Sequence, residues 1–80
     1  MKDFKIISVL FNLWIRKFNS RNQRLVNLKK NHPDLKIDPK YFTLEYIKFC
    51  FYGFCKRREI SKNIPNEVIL FVFELRIGSN

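Results

Sequence analysis

The 80-residue sequence contains few of the residues that interrupt regular structure or build reactive centres. It has two glycines, three prolines, two cysteines and one histidine. So few glycines and prolines, together with 46% hydrophobic and 16% aromatic residues, indicate a packed core and exclude a disordered chain. A chain of this length suffices for one compact domain and leaves little room for a deep active-site cleft.

Acidic residues are also scarce, and their shortage is uneven along the chain. Seven acids stand against sixteen lysines and arginines, which gives a formal net charge of +9. No acid lies between Phe4 and Pro33, where seven basic residues occur: Lys5, Arg16, Lys17, Arg21, Arg24, Lys29 and Lys30. A field of one sign attracts polyanions such as RNA or an anionic membrane surface. The alternative is a basic face that is only solvated.

The two cysteines, Cys50 and Cys55, do not form a pattern that binds metal or closes a disulfide. Five positions along a helix correspond to a rotation of about 140°, so the two thiols lie on different sides of the helix. They can therefore neither form a disulfide with each other nor bind one metal ion together. We expect buried free thiols, no cofactor or metal, and a reducing intracellular compartment such as the cytoplasm or an organelle matrix.

No apolar run is long enough to span a bilayer. The N-terminal stretch MKDFKIISVLFNLWIRKF contains an apolar segment of signal-peptide length, but Asp3 lies in its positive region and no small-residue cleavage site follows. We interpret this stretch as mature structure, and attachment to a membrane surface is the less favoured alternative.

The spacing of apolar residues in that stretch predicts a helix that Asp3 can cap. Its apolar face is formed by Phe4, Ile7, Leu10, Phe11, Trp14 and Phe18. The pattern weakens at residues 19–23, which predicts a break or kink between Asn19 and Asn22. Pro33 must end any helix before it, so residues 31–38 are expected to form a loop.

A second helix is predicted from the residues at its start. Asp38 as N-cap and Pro39 at the first position predict a second helix, whose apolar face is Leu44, Ile47, Phe51 and Phe54. Gly53 within it costs about 1 kcal/mol relative to alanine, which indicates a close contact with another element or a local bend.

The third helix is predicted from Pro65 to Ile77, with Glu67 in its first turn and Gly78 as its stop. Residues 68–77 also fit a strand, because they are rich in valine, isoleucine and phenylalanine and alternate near their end. The predicted fold is therefore one small basic all-α domain of about three helices over residues 1–80, with an α+β domain as the alternative.

Catalytic patterns are missing from the sequence. His32 has only Asp34 as a nearby acid, and no serine has the context of a nucleophile elbow. There is no glycine-rich phosphate loop. We therefore predict that the protein is not an enzyme.

Basic clusters are the strongest functional signal. Lys17, Arg21 and Arg24 share one side of a helix, and Arg57 and Arg58 follow the second helix near its negative end, where cations are favoured in any protein. The predicted nucleic-acid-binding residues are Arg16, Lys17, Arg21, Arg24, Lys29, Lys30, Arg57 and Arg58. The aromatic residues fit a core stripe better than a base-stacking surface, so contacts to phosphates are expected to dominate.

Residues 63–75, NIPNEVILFVFEL, resemble the first helix of F-box domains in Ile64, Pro65, Glu67, Val68, Ile69, Val72 and Phe73. Arg76 falls where the F-box pattern has an apolar residue. In that family this helix packs on an adaptor of a ubiquitin ligase, so the resemblance implies a protein partner. The implied partner-binding residues are Ile64, Pro65, Val68, Ile69, Val72 and Phe73.

Two functional hypotheses remain open at this point. The first is a structural RNA-binding subunit of a ribonucleoprotein assembly, for example a ribosome-associated protein, which holds phosphates through a basic face. The alternative is a protein-protein adaptor without enzymatic activity, whose basic face is merely solvated. Neither hypothesis includes a small-molecule substrate.

Overall fold

A computed structural model describes residues 2–78, and all of its regular structure is helical. The helices are α1 (Lys2–Asn31), α2 (Leu44–Lys56) and α3 (Asn66–Gly78), with a 3-10 helix at Pro39–Phe42 before α2. The predicted all-α fold is confirmed. The alternative strand at residues 68–77 is wrong, because these residues belong to α3.

Helix α1 is continuous for 30 residues. The break predicted between Asn19 and Asn22 is wrong, because the helical backbone continues through this segment. The segment contains neither glycine nor proline, so nothing in it interrupts the helix. A helix of this length measures about 45 Å, which accounts for the longest dimension of the domain, 47 Å. Its buried residues all lie in the first half, so the second half extends beyond the core.

The α1 helix ends at Asn31, before Pro33 as predicted. The ammonium group of Lys29 donates a hydrogen bond of 2.9 Å to the carbonyl oxygen of Pro33 and another to that of Leu35. These bonds tie the following loop to the end of the helix.

The second helix starts later than predicted. Asp38 accepts a hydrogen bond from the backbone N–H of Lys40, but the turn that it caps is the 3-10 helix at Pro39–Phe42. Thr43 then caps α2 by accepting a bond from the backbone N–H of Tyr46. Two successive cap signals therefore divide a segment that the sequence pattern treated as one helix.

The core is an aromatic cluster contributed by all three helices. The ring centroid of Phe51 on α2 lies 5.3 Å from Phe11 and 5.1 Å from Trp14 on α1, and 6.0 Å from Phe73 on α3. All four side chains are buried, and Ile7, Leu10, Cys55, Ile64, Ile69 and Val72 complete the core. The predicted core face of α1 is confirmed at Ile7, Leu10, Phe11 and Trp14.

Both cysteines are free thiols, but only Cys55 is fully buried, while Cys50 is partly exposed. Burial raises the pKa of Cys55 to about 11. No helix in residues 2–78 has the length and apolar character that a bilayer span needs.

Candidate nucleic-acid interface

The two basic clusters predicted from distant parts of the sequence lie beside each other in the fold. Lys17 on α1 and Arg57 after α2 line the same two adjoining depressions between these helices. One depression has a volume of about 590 Å³ and includes Arg58, and the other, of about 230 Å³, includes Arg21. We call this continuous feature, lined by Lys17, Arg21, Arg57 and Arg58, the basic groove.

Helical spacing explains why α1 supplies one edge of the groove. Lys17, Arg21 and Arg24 fall within an arc of about 60° around the helix axis. This arc borders the apolar face that packs on α2, so Lys17 lies next to the end of α2 and Arg21 lies beside Cys50, farther back along it. Lys17 and Arg21 share a further depression with Arg16 and Arg24, which extends the positive surface along α1.

Two predicted residues lie elsewhere. Lys29 and Lys30 are rotated from Lys17 by about 120° and 140° in opposite senses around α1, so they lie away from the groove. The Lys29 ammonium holds the loop carbonyls, and both side chains border an apolar depression with Leu25 and Phe42. The eight predicted residues therefore divide into six around the groove and two outside it.

The positive charge around the groove is not neutralised by ion pairs. Within residues 2–78 the ion pairs involve Lys40, Lys48 and Lys62, and none involves the six basic residues of this surface. Glu59 is the one acid lining the groove, and its carboxylate pairs with Lys62 at 2.9 Å. An uncompensated set of cations beside apolar walls produces a strong local attraction for anions.

A local contact positions the side chain of Arg58, the second arginine after α2. The guanidinium carbon of Arg58 lies 3.8 Å from the centroid of the Phe54 ring, which is a close cation-π contact. The Arg58 Nε atom is buried and has no hydrogen-bond partner among the described residues.

Gly53 has a different role from the one predicted. A Cβ atom at this position would lie 3.3 Å from Nη2 of Arg57, and no other helix comes within 4 Å of it. The predicted contact with another element is therefore wrong, and α2 is not interrupted at Gly53. The absence of a side chain makes room for the Arg57 guanidinium along α2. Sequence reasoning missed this because Arg57 lies outside the helix that the pattern described.

The partner-binding residues implied by the F-box resemblance are mostly not accessible. Ile64, Ile69, Val72 and Phe73 are buried in the domain's own core, Val68 is partly buried and Pro65 is exposed. Four of the six residues therefore cannot form a free docking face while the domain is folded. The exposed apolar residues of α3 are instead Phe71 and Leu75, which are 56% and 43% exposed.

The described residues contain no group of three or more histidine, cysteine or acidic side chains placed to hold a metal ion. Comparisons with protein-family models, curated proteins and solved structures found no match. The chemistry of the basic groove is therefore the main guide to function.

Proposed function

We propose that this protein is a structural RNA-binding subunit of a ribonucleoprotein assembly, such as a ribosome-associated protein, and that it acts without catalysis. The observation that carries the proposal is the meeting of Lys17 and Arg21 with Arg57 and Arg58 in one groove. Residues this far apart in the sequence form a continuous positive surface only because α1 and α2 pack together.

The shape of this surface favours a strand over a flat anionic surface. A groove with cations on both edges can follow a phosphate backbone, whereas a bilayer surface is best met by a convex or flat face. The guanidinium groups suit phosphate because each can donate two parallel hydrogen bonds to its oxygens. Phosphate contacts fix the position of the strand without reading its sequence.

The salt dependence of binding tests this proposal. Each phosphate neutralised on a single strand contributes about 0.7 to the slope of log affinity against log salt. Contacts from Arg16, Lys17, Arg21, Arg24, Arg57 and Arg58 therefore predict a slope of about −4 for single-stranded RNA. The measurement is fluorescence anisotropy of a labelled RNA at several salt concentrations.

A matched pair of double variants separates the groove from net charge. Replacing Arg21 and Arg24 by glutamine should reduce the magnitude of the slope by about 1.4. Replacing Lys2 and Lys5 by glutamine removes the same charge at two residues that line neither the groove nor its extension along α1, and should leave the slope unchanged. A wild-type affinity that barely responds to salt would refute the proposal, and equal losses in both double variants would refute the groove as the binding surface.

A second candidate function is a protein-protein adaptor, and the exposed edge of α3 favours it. The ring of Phe71 is 56% exposed and lies 6.1 Å from the ring of Phe4 on α1, so the two form an apolar strip at the surface. A protein partner would contact Phe71 and Leu75 rather than the buried residues of the F-box-like stretch.

Purification with and without nuclease distinguishes the two candidates. If RNA holds the assembly together, nuclease treatment should release this protein. If the α3 edge holds a defined partner, the complex should survive nuclease and be lost in the variant Phe71→Asp, while the Arg21 and Arg24 double variant should retain it.

A further inference from the structure

A second cleft opens where the basic groove ends, between α1, the loop that follows it and the start of α2. Its volume is about 400 Å³. The aromatic, basic and amide side chains in its wall are Phe18, Arg21, Asn22, Lys36, Tyr41 and Tyr46. Phe18 and Arg21 line both this cleft and the basic groove, so the two spaces adjoin at these residues. A strand that follows the groove toward Arg21 therefore reaches the cleft.

The wall of the cleft combines aromatic and polar groups. The rings of Tyr41 and Tyr46 meet edge to face, with centroids 5.0 Å apart and an angle of 78° between their planes. Tyr41 remains 39% exposed. Because the two rings do not stack on each other, part of the Tyr41 ring is open to solvent, beside the Lys40 ammonium that lies 5.7 Å from the ring centroid. A planar ligand can lie on that open part of the ring.

Polar groups in the cleft suit the edge of a nucleobase and its phosphate. The Asn22 amide offers a donor and an acceptor side by side, which is the pattern that base edges pair with. Arg21 and Lys36 supply cations at the same cleft. The acid in the wall, Asp38, accepts a hydrogen bond of 3.0 Å from the backbone N–H of Lys40, so it is engaged in capping the 3-10 helix.

We infer that this cleft binds one unstacked nucleobase of the RNA strand whose phosphates lie in the basic groove, an inference that depends on the proposed function. The ligand class is therefore single-stranded or bulged RNA, because a base inside a duplex is not free to enter a cleft. Stacking on the Tyr41 ring would supply affinity for any base, and the Asn22 amide would supply preference among bases.

The test compares three ligands with wild-type protein and Tyr41 variants. The ligands are single-stranded RNA of about ten nucleotides, the duplex of the same sequence, and inorganic polyphosphate, which carries phosphates without bases. Loss of one stacking contact in Tyr41→Ala should weaken single-stranded RNA binding by about 5- to 150-fold. The same variant should bind polyphosphate as the wild type does and keep its salt slope. Tyr41→Phe should bind RNA like the wild type.

Control variants separate stacking from folding. Phe49 is also an exposed aromatic residue of this region of the chain, at 73% exposure, but it lines neither the cleft nor the groove, so Phe49→Ala should leave RNA binding unchanged. Circular dichroism checks that each variant is folded. If Tyr41→Ala loses helix content, Tyr41→Leu, which retains apolar bulk against Tyr46, replaces it in the comparison.

The outcomes also separate this inference from the proposed function. Salt-dependent binding of RNA that is unchanged in a folded Tyr41→Ala or Tyr41→Leu variant would overturn the nucleobase cleft and leave the proposed function standing. A preference of the wild type for duplex over single-stranded RNA would overturn it as well. A wild-type protein that binds neither RNA nor polyphosphate would overturn both.

Discussion

The aromatic core makes a strong prediction about the substitution Phe51→Ala. Phe51 is fully buried and its ring contacts Phe11, Trp14 and Phe73, so it joins all three helices. Truncating a buried phenylalanine costs about 3 to 5 kcal/mol, because transfer energy is lost and a cavity remains. A domain of this size has a free energy of unfolding of about 4 to 12 kcal/mol. The substitution should therefore remove a large part of the stability.

The same helix supplies a matched control for this prediction. Phe49 lies two positions earlier on α2 and is 73% exposed, so Phe49→Ala should change stability by no more than about 0.5 kcal/mol. Urea unfolding followed by far-ultraviolet circular dichroism measures both. A loss of less than about 1 kcal/mol for Phe51→Ala, or an equal loss for both variants, would contradict the packing described for the core.

Four further predictions concern the thiols, a buried hydrogen bond and a helix cap. Because burial raises the pKa of Cys55 to about 11, a thiol reagent should label Cys50 first in the native protein and both residues only after denaturation; equal native rates would contradict the burial. The unfolded thiol ionises at lower pH than the folded one, so the Cys55 contribution to stability should decline as the pH rises toward 11 in unfolding titrations. Ser61→Ala should cost about 1 kcal/mol in urea unfolding, because the buried Ser61 hydroxyl donates a hydrogen bond to the carbonyl oxygen of Cys55. In the variant that carbonyl still accepts a bond from the backbone N–H of Arg58. An unchanged free energy of unfolding would show that the hydroxyl bond adds no stability. Thr43→Ala should cost about 1 kcal/mol in the same assay because α2 loses its N-cap, and an unchanged midpoint would contradict that role.

Much of the fold could be predicted because its signals are local. The apolar face of α1 follows from helical spacing, and the end of α1 at Asn31 and the start of α3 after Pro65 follow from proline geometry. Errors arose where two local signals competed. Asp38 with Pro39 starts a 3-10 turn, and the weaker signal at Thr43 starts the helix. Polar residues alone did not break α1, since a helix tolerates them where they face solvent.

The candidate site depended on information that the sequence pattern did not contain. Lys17 and Arg57 are separately visible as basic residues, but their meeting depends on how α1 packs on α2. The cleft beside Tyr41 likewise forms only because the loop after α1 folds back toward Arg21. The burial of Ile69 and Phe73 could not be predicted without knowing how α3 packs on the other helices. A helix that is apolar on most sides does not reveal in its sequence which side faces the core.

The position of Trp14 makes its intrinsic fluorescence a probe of the domain's structure. It is the chain's one tryptophan, its ring stacks on Phe18 with centroids 5.0 Å apart, and it lines the depression that Lys17 and Arg57 also line. Its emission should be blue-shifted in the native state and shift to the red when the core opens. An RNA strand in the groove would lie beside the indole, so its emission should change on titration without any attached dye. One intrinsic signal would thus report the integrity of the core and, under the proposed function, the occupancy of the groove.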